Sequence, residues 1–227
     1  MRVEPFTVGS YVHALKRGAR GMIITNDEAD KWRFLRSLFY MNDDYFDPNW
    51  ERITNGYELY YRPDSWPERK PIVKIAAFTL MPNHVHLLLK EIKKGGISIF
   101  MQKLGQSMTN HFNEKYEQQG SLFQGSYKGK TISEDTYLRY VAVYIMVKNV
   151  FELYPKGGLR GATKNFEDAW KWAEKYPFSS LGSYTEVTSS SIVDKDVLGE
   201  IYKTPHQFKV FARDVILGGK WLESVFE

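Results

Sequence analysis

Cysteine is absent from the 227 residues of the chain. Its absence excludes disulfide bonds, thiolate metal sites and cysteine nucleophiles together, and the cytoplasm is then the expected compartment. The sequence also lacks an apolar run long enough to cross a membrane. Its first ten residues, "MRVEPFTVGS", contain no apolar stretch after a basic start. Neither a membrane partner nor a secretory signal is therefore expected.

Positive charge exceeds negative charge only modestly, but the excess is local. The formal net charge is +4. Residues 81–150 hold nine Lys and Arg against five Asp and Glu, whereas the rest of the chain balances at 22 against 22. A local basic excess favours a polyanionic partner such as a nucleic acid, although an ordinary solvated surface carries the same charge equally well.

The periodicity of the apolar residues predicts strands and helices in alternation over the first 150 residues. Strands are predicted over residues 6–15, 72–80, 84–92 and 121–132. Helices are predicted over residues 26–40, 98–120 and 133–149, the last of them capped by Ser133. The order β-α-β-β-α-β followed by a further helix is typical of a ferredoxin-like fold.

The sequence therefore predicts an α+β protein whose antiparallel, ferredoxin-like sheet carries helices on one face. Residues 1–150 form the predicted main domain, interrupted by an aromatic-rich insertion at 41–70 that packs on it. Residues 151–227 form a predicted helical extension packed against that domain. One helix of the extension is expected to be capped by Thr204 and to open with Pro205.

The stretch "MPNHVHLLL", residues 81–89, carries two histidines on either side of one valine. Side chains alternate along a strand, so His84 and His86 share one face while the aliphatic residues share the other. The aliphatic face is expected to pack on helices, which makes the histidine face the more open one. Two imidazoles at this spacing suit one divalent cation, but two ordinary strand histidines produce the same pattern.

The last helix of the main domain carries tyrosines beside its apolar stripe. At about 100° per residue, Tyr144 lies about 110° from the centre of that stripe, and Lys148 follows one turn later. Tyr144 is therefore expected to be neither fully buried nor fully exposed. Lys148 is close enough to stabilise a phenolate or to bind a phosphate. Because the chain has fifteen tyrosines, a packing shelf is an alternative role for this row.

Three segments together resemble a known family. The run "AFTLMPNHVHLLLK" is followed by "ISIFMQKLGQSMTNHFNEKY" and then by "GSLFQGSYKGKTISEDTYLRYVAVYI". This combination resembles the single-tyrosine HUH transposases, IS200-like and REP-associated, over residues 6–185. It is far more specific than either the histidine pair or the tyrosine alone.

The resemblance implies a reaction and a site. His84-Val85-His86 corresponds to the HUH triplet, whose histidines hold Mg²⁺ or Mn²⁺, and Tyr144 corresponds to the catalytic tyrosine. The family breaks single-stranded DNA by tyrosine attack on a backbone phosphate, which forms a 5′-phosphotyrosine link and frees a 3′-hydroxyl. The reverse reaction rejoins strands. The resemblance therefore implies a metal-dependent DNA transposase that acts on single-stranded or hairpin DNA.

The chain departs from the family pattern at one position. The family usually has Asn or Gln four residues after the tyrosine as a third metal ligand, whereas this chain has Lys148 there and Asn149 one position later. A charged lysine does not ligate a metal. Asn149, Glu152 and water stay open as the third ligand, and weakened metal binding is a further alternative.

Nucleic-acid contacts are expected from basic residues on elements that border the proposed site. They are Arg17, Arg20, Lys128, Lys130 and Lys148. Contacts of this kind with phosphate supply affinity and salt dependence rather than sequence choice. Aromatic residues of the insertion offer stacking for unpaired bases, although packing on the domain is their expected role. The sequence is compatible with a monomer and with a homodimer.

Two other functions stay open. A domesticated, catalytically silent nucleic-acid-binding protein on the same fold would carry most of these residues, and Lys148 is the feature that favours it. A hydrolytic metal phosphoesterase would use the same histidines and would tolerate loss of the tyrosine. A protein–DNA adduct that resists denaturation distinguishes the transposase from both.

Overall fold

The computed structural model describes residues 6–219. Residues 1–5 and 220–227 lie outside the described residues, and with them the outer limits of the predicted main domain and of the predicted extension. Within the described range no helix combines the length and the apolar character that a membrane span requires.

A four-stranded antiparallel sheet forms the centre of the fold. Its strands are β1 (Tyr11–Arg17), β2 (Val73–Met81), β3 (His84–Glu91) and β4 (Lys128–Ile132), in the spatial order β2-β3-β1-β4. Each neighbouring pair is antiparallel. Helical connections lead from β1 to β2 and from β3 to β4, which is the ferredoxin-like arrangement. The predicted α+β class and topology are confirmed.

Two helices, α1 (Glu28–Tyr40) and α3 (Gly96–Tyr116), cover the aliphatic face of the sheet. The apolar side chains between these helices and the sheet form one core cluster. α1 begins as predicted, with a capping box in which the side chains of Asp27 and Asp30 each accept from the other residue's backbone N–H.

The start of α3 is stabilised by a buried acid. Glu91, which is 1% exposed, accepts hydrogen bonds from the backbone N–H of Gly95 at 2.6 Å and of Ile97 at 2.8 Å. α3 therefore begins two residues before the predicted Ser98. A carboxylate at this end satisfies N–H groups that have no partner inside the helix.

The histidine face of the sheet is also covered, so the prediction of helices on one face and an open histidine face is wrong. A continuous helical segment crosses this face: α4 (Asp135–Val143), a π-helical turn (Tyr144–Lys148) and α5 (Asn149–Glu152). Its apolar side meets Leu88 of β3, and helices after residue 150 complete a second core cluster. Strand alternation says which residues share a face but not what covers that face.

The remaining helices are short, apart from the last. They are α2 (Trp50–Ile53), α6 (Gly158–Lys164), α7 (Phe166–Ala173), α8 (Leu181–Tyr184), α9 (Asp196–Ile201) and α10 (Pro205–Leu217). α10 has the predicted Thr204 cap, whose side chain accepts from the N–H of Gln207. The predicted domain boundary at residue 150 stays a prediction.

Three predicted boundaries are wrong. β1 begins at Tyr11 rather than at residue 6, because Gly9 has φ +96° in a turn that precedes the strand. β4 is limited to its last five residues because Gly125, with φ +146°, interrupts the extended backbone before it. Ser133 does not cap the following helix, since Glu134 still has extended backbone and occupies the N-cap position.

The insertion at residues 41–70 packs on the end of α1. The Trp50 ring lies against Tyr40 with a centroid distance of 4.6 Å, and the Tyr40 hydroxyl donates to the carbonyl of Tyr61 at 2.5 Å. Trp66 contacts the same tyrosine edge-on. Tyr57 stacks on Tyr61 and is 60% exposed.

Candidate active site

His84 and His86 lie at the start of β3, directly after the turn that follows β2. His84 is paired with Arg17 of β1, and His86 is paired with Thr79 of β2. The two imidazole centroids are 4.8 Å apart, with the rings nearly perpendicular. His86 is 3% exposed and His84 is half-buried. The two histidines share one face of the sheet, as strand alternation predicts.

Tyr144 approaches the histidines from the helical segment that crosses the same face. The Thr79 hydroxyl of β2 donates to the carbonyl of Ile145 and so ties this segment to the sheet beside His86. The Tyr144 ring lies edge-on to His86, with a centroid distance of 5.5 Å. Its exposure is intermediate, as predicted. The structure thus brings together the three residues that the sequence predicted for the site.

A third histidine, which the sequence analysis missed, completes the cluster. His13 of β1 is fully buried, and its Nε2 atom lies 2.8 Å from Nδ1 of His86. Its ring centroid is 5.9 Å from that of Tyr144. A histidine within an apolar strand was the available signal, but the pairing of β1 beside β3 that brings it to His86 is not readable from local sequence.

Asn83, the last residue of the turn, determines which nitrogen of His84 carries the proton. Its Oδ1 atom lies 2.6 Å from Nδ1 of His84. A carbonyl oxygen only accepts, so His84 donates from Nδ1 and keeps its lone pair on Nε2. A partner at Nδ1 is the usual arrangement for a histidine that binds metal through Nε2.

The surroundings keep all three imidazoles neutral. Burial lowers the pKa of His84 to about 4, assisted by the positive charges of Arg17 and Lys148. Burial also lowers the pKa of His13 to about 3, with Lys130 contributing. The pKa of His86 lies well below its ordinary value because of burial and the neighbouring histidines. Neutral imidazoles have the lone pairs that metal ligation requires.

Because of the π-helical turn, Asn149 rather than Lys148 is the residue one helical turn after Tyr144. The backbone N–H of Asn149 donates to the carbonyl of Tyr144, five residues earlier, whereas an α-helix would pair residues four apart. Asn149 is 1% exposed, and its buried Nδ2 atom has no hydrogen-bond partner among residues 6–219. A buried amide with an unused end is a candidate for binding a further group.

The Lys148 side chain lies over the face of the Tyr144 ring. Its Nζ atom is 4.9 Å from the ring centroid and forms a 2.6 Å ion pair with Glu152. Glu152, one of the alternatives for the third ligand, is therefore paired with Lys148. Lys148 is a cation beside the phenol, which can stabilise negative charge on its oxygen.

The other predicted basic residues lie on β1, on β4 and in the turn after β1. Arg17 is exposed and paired with His84, and Lys130 is paired with His13 across β1 and β4. Lys128 is exposed on the same edge strand. Arg20 is exposed in the 3₁₀ turn that follows β1. Arg17, Lys128 and Lys130 therefore share the histidine face of the sheet, and Arg20 lies just beyond the end of β1.

The donor set suits a divalent cation with two histidine ligands and one ligand of another type. Within residues 6–219, no group of three or more His, Asp and Glu side chains is arranged to hold a metal ion. His84 and His86 are the two neighbouring imidazole donors on this face. Nitrogen and amide-oxygen donors together are compatible with Mn²⁺, and less typical of Mg²⁺, which prefers oxygen.

The comparison with protein families finds a match over the segment that carries most of this site. Residues 68–148 match the family described as "Transposase IS200 like". The matched range contains both histidines of β3 and Tyr144. Over this segment the match agrees with the predicted resemblance to the IS200-like transposases.

Solved structures and curated proteins were compared as well. One matching structure is described as "Structure of the REP associates tyrosine transposase bound to a REP hairpin". It is 13% identical, and the alignment covers 86% of this chain and 96% of that chain with a TM-score of 0.47. No curated protein matches the chain.

Proposed function

We propose that this protein is a transposase that cuts and rejoins single-stranded DNA through a covalent link to Tyr144, with Mg²⁺ or Mn²⁺ held by His84 and His86. The observation that carries the proposal is the 5.5 Å approach of the Tyr144 ring to the His86 ring inside the family-matched segment. Single-stranded DNA, alone or in the flank of a hairpin, is the proposed substrate.

In the proposed step the Tyr144 hydroxyl oxygen attacks a backbone phosphorus. A bond from phosphorus to the tyrosine oxygen forms as the bond to the 3′-oxygen of the preceding nucleotide breaks. The phenolic proton passes to solvent, and the departing oxygen gains a proton to become a 3′-hydroxyl. The phosphotyrosine ester retains the energy of the phosphodiester, so attack by a 3′-hydroxyl rejoins strands without a nucleotide cofactor.

Cations of the chain assist the nucleophile and the phosphate. A phenol with a pKa of about 10 is a weak nucleophile at neutral pH unless a nearby positive charge stabilises its anion. Lys148, 4.9 Å from the Tyr144 ring centroid, supplies that charge. Arg17, paired with His84, is suited to bind a phosphate that enters the site.

The metal would be held by Nε2 of His84 and Nε2 of His86, since a neighbour occupies Nδ1 of each ring. When bound, a divalent cation supplies charge stabilisation at the scissile phosphate. We favour Asn149 as the third ligand over Glu152, because Glu152 is paired with Lys148 whereas the Asn149 amide nitrogen has no hydrogen-bond partner in the described part of the chain. Turning that amide by 180° exchanges its nitrogen for its oxygen.

Tyr144→Phe tests the nucleophile. Wild-type protein, Mn²⁺ and a library of hairpin oligonucleotides with randomised single-stranded flanks are expected to give adducts that survive denaturation. The Tyr144→Phe protein should give none while it still binds DNA. Tyr140→Phe, on the same helix and partly exposed, is the matched control and should retain the adduct.

His84→Ala tests the metal site in the same assay, with the exposed His206→Ala as its control. His84→Ala should abolish the Mn²⁺-dependent adduct and His206→Ala should not. Adducts that persist in Tyr144→Phe would refute the assigned nucleophile. Wild-type protein that binds the library but never forms an adduct would instead favour the catalytically silent DNA-binding protein.

A further inference from the structure

A second concave site lies on the opposite face of the sheet from the histidine cluster. It is an open cleft of about 740 Å³ between α3 and the segment 120–127 that leads into β4. This volume is within the range of about 300–1,000 Å³ that is common for ligand sites. The proposed strand-transfer step uses none of the residues that line it.

The α3 wall of the cleft consists of polar side chains in a row. Gln102, Gln106 and Asn110 recur every four residues and so lie on one side of the helix. All three are exposed. An amide carries both hydrogen-bond donors and an acceptor, which matches the edges of unpaired bases. The charged side chain among the lining residues is a lysine, and none of them is acidic.

Lys16 of β1 forms the floor of the cleft. Its ammonium donates to the carbonyl of Gly125 at 3.1 Å and lies 4.8 Å from the centroid of the Phe123 ring. A side chain at Gly105 of α3 would collide with Lys16, so the glycine leaves room for the lysine to cross beneath the helix. Burial lowers the pKa of Lys16. This cation has donors left for a phosphate or a base carbonyl.

The cleft is connected to the histidine face at the C-terminal end of β1. A smaller hollow of about 280 Å³ is lined by Leu15, Arg17, Gln124 and Lys128 and shares Gly125 and Ser126 with the cleft. Arg17 is paired with His84. Basic residues therefore mark the path from the histidine cluster, across the hollow, to Lys16 in the cleft.

We infer that the cleft between α3 and residues 120–127 binds an unpaired nucleotide of the DNA strand whose scissile phosphate lies at the histidine face. This inference rests on the proposed function. The amides of α3 contact the edge of the base, the aromatic rings of residues 123 and 127 border it, and Lys16 binds a phosphate or a base oxygen. A basic track beside aromatic and amide groups is the usual composition of a single-strand site.

A pair of double variants tests whether the cleft binds a base. Gln102→Ala/Gln106→Ala removes two amides from the cleft, and Gln118→Ala/Gln119→Ala removes two exposed amides beyond the end of α3. The probes are fluorescein-labelled oligothymidylate and the same length of abasic tetrahydrofuran phosphate polymer, measured by fluorescence anisotropy.

The cleft variant should bind oligothymidylate about 5- to 10-fold more weakly than wild type, because contacts of one base are lost. Its affinity for the abasic polymer and both affinities of the control variant should be unchanged. Unchanged binding of oligothymidylate by the cleft variant would overturn the inference. An equal loss for both polymers would overturn it too, because it would show contacts to phosphate alone.

Photocrosslinking places the base independently. An oligonucleotide with one 4-thiothymidine per molecule, walked along the strand, should give crosslinked peptides that contain Tyr127. Crosslinks confined to the aromatic insertion at residues 41–70 would refute the cleft. The adduct assay on Tyr144→Phe is separate from both tests. If wild-type protein forms adducts but the cleft does not bind a base, this inference alone is refuted. If the cleft binds a base but wild-type protein forms no adducts, the proposed function is refuted.

Discussion

His13 Nε2 lies 2.8 Å from Nδ1 of His86, and both imidazoles are almost completely buried. Low pKa values keep both rings neutral, so one ring donates and the other accepts. If His86 is the donor, its Nε2 lone pair is available to a metal, which is the tautomer that Asn83 imposes on His84. We propose that His13 has this positioning role for His86.

Replacement of His13 tests this role through metal affinity. His13→Gln retains an acceptor near the Nε2 position, whereas His13→Leu removes it. We expect His13→Leu to weaken Mn²⁺ binding about 10- to 100-fold, the usual effect of losing a partner of a metal-binding histidine, and His13→Gln to stay close to wild type. Calorimetric titration with Mn²⁺ measures both, and equal affinities of the two variants would contradict the role.

The π-helical turn predicts different effects for two adjacent residues. Asn149→Ala should weaken Mn²⁺ binding about tenfold or more, because it removes the proposed third ligand. Lys148→Met should leave Mn²⁺ affinity unchanged but slow adduct formation, because it removes the cation over the Tyr144 ring. Calorimetry and single-turnover adduct kinetics separate the two effects. Reduced Mn²⁺ affinity in Lys148→Met alone would reverse the assignment.

The ionised Asp196 carboxylate is expected to stabilise the fold, and this stabilisation is expected to be lost in acid. Burial alone would raise its pKa, but hydrogen bonds from Lys90 and Lys74 outweigh burial and lower the pKa from 3.8 to about 2. A lowered folded-state pKa stabilises the fold above the unfolded value, and this stabilisation disappears as the pH falls from about 4 through 2.

Asp196→Asn should therefore reduce the free energy of unfolding by about 1–3 kcal/mol at pH 6, and the difference from wild type should shrink near pH 2.5. Urea unfolding at the two pH values measures it. The exposed Asp64→Asn serves as control and should differ little from wild type at either pH. A difference for Asp196→Asn that is independent of pH would contradict the charge pairing.

Loss of the Glu91 carboxylate is expected to destabilise the start of α3. Glu91→Leu leaves the N–H groups of Gly95 and Ile97 without the acceptors they have now. We expect a loss of about 1–3 kcal/mol in the free energy of unfolding, as for other buried groups left unsatisfied. Chemical denaturation measures it, with the exposed Glu114→Leu on the same helix as control. Similar losses for both variants would show that the cap does not account for the effect.

The sequence predicted more of the fold than of the surroundings of the site. Hydrophobic periodicity identified the order of the four strands and the helices between them, and the spacing of His84 and His86 was enough to assign them to one face. The prediction that this face is open was wrong, because the residues that cover it, such as Ile145, belong to elements far along the chain. The short extent of β4 was missed because a glycine with positive φ preceded it.

What the sequence determined by itself was local: two imidazoles of one strand on the same face, and a tyrosine beside the apolar stripe of one helix. Such relations depend only on the period of the backbone. Tertiary structure alone decided that His13 meets His86, that a π-helical turn brings Asn149 after Tyr144 in place of Lys148, and that Lys16 crosses beneath α3. These relations depend on strand pairing, helix irregularity and close packing between distant segments, and no periodic pattern in the sequence encodes them.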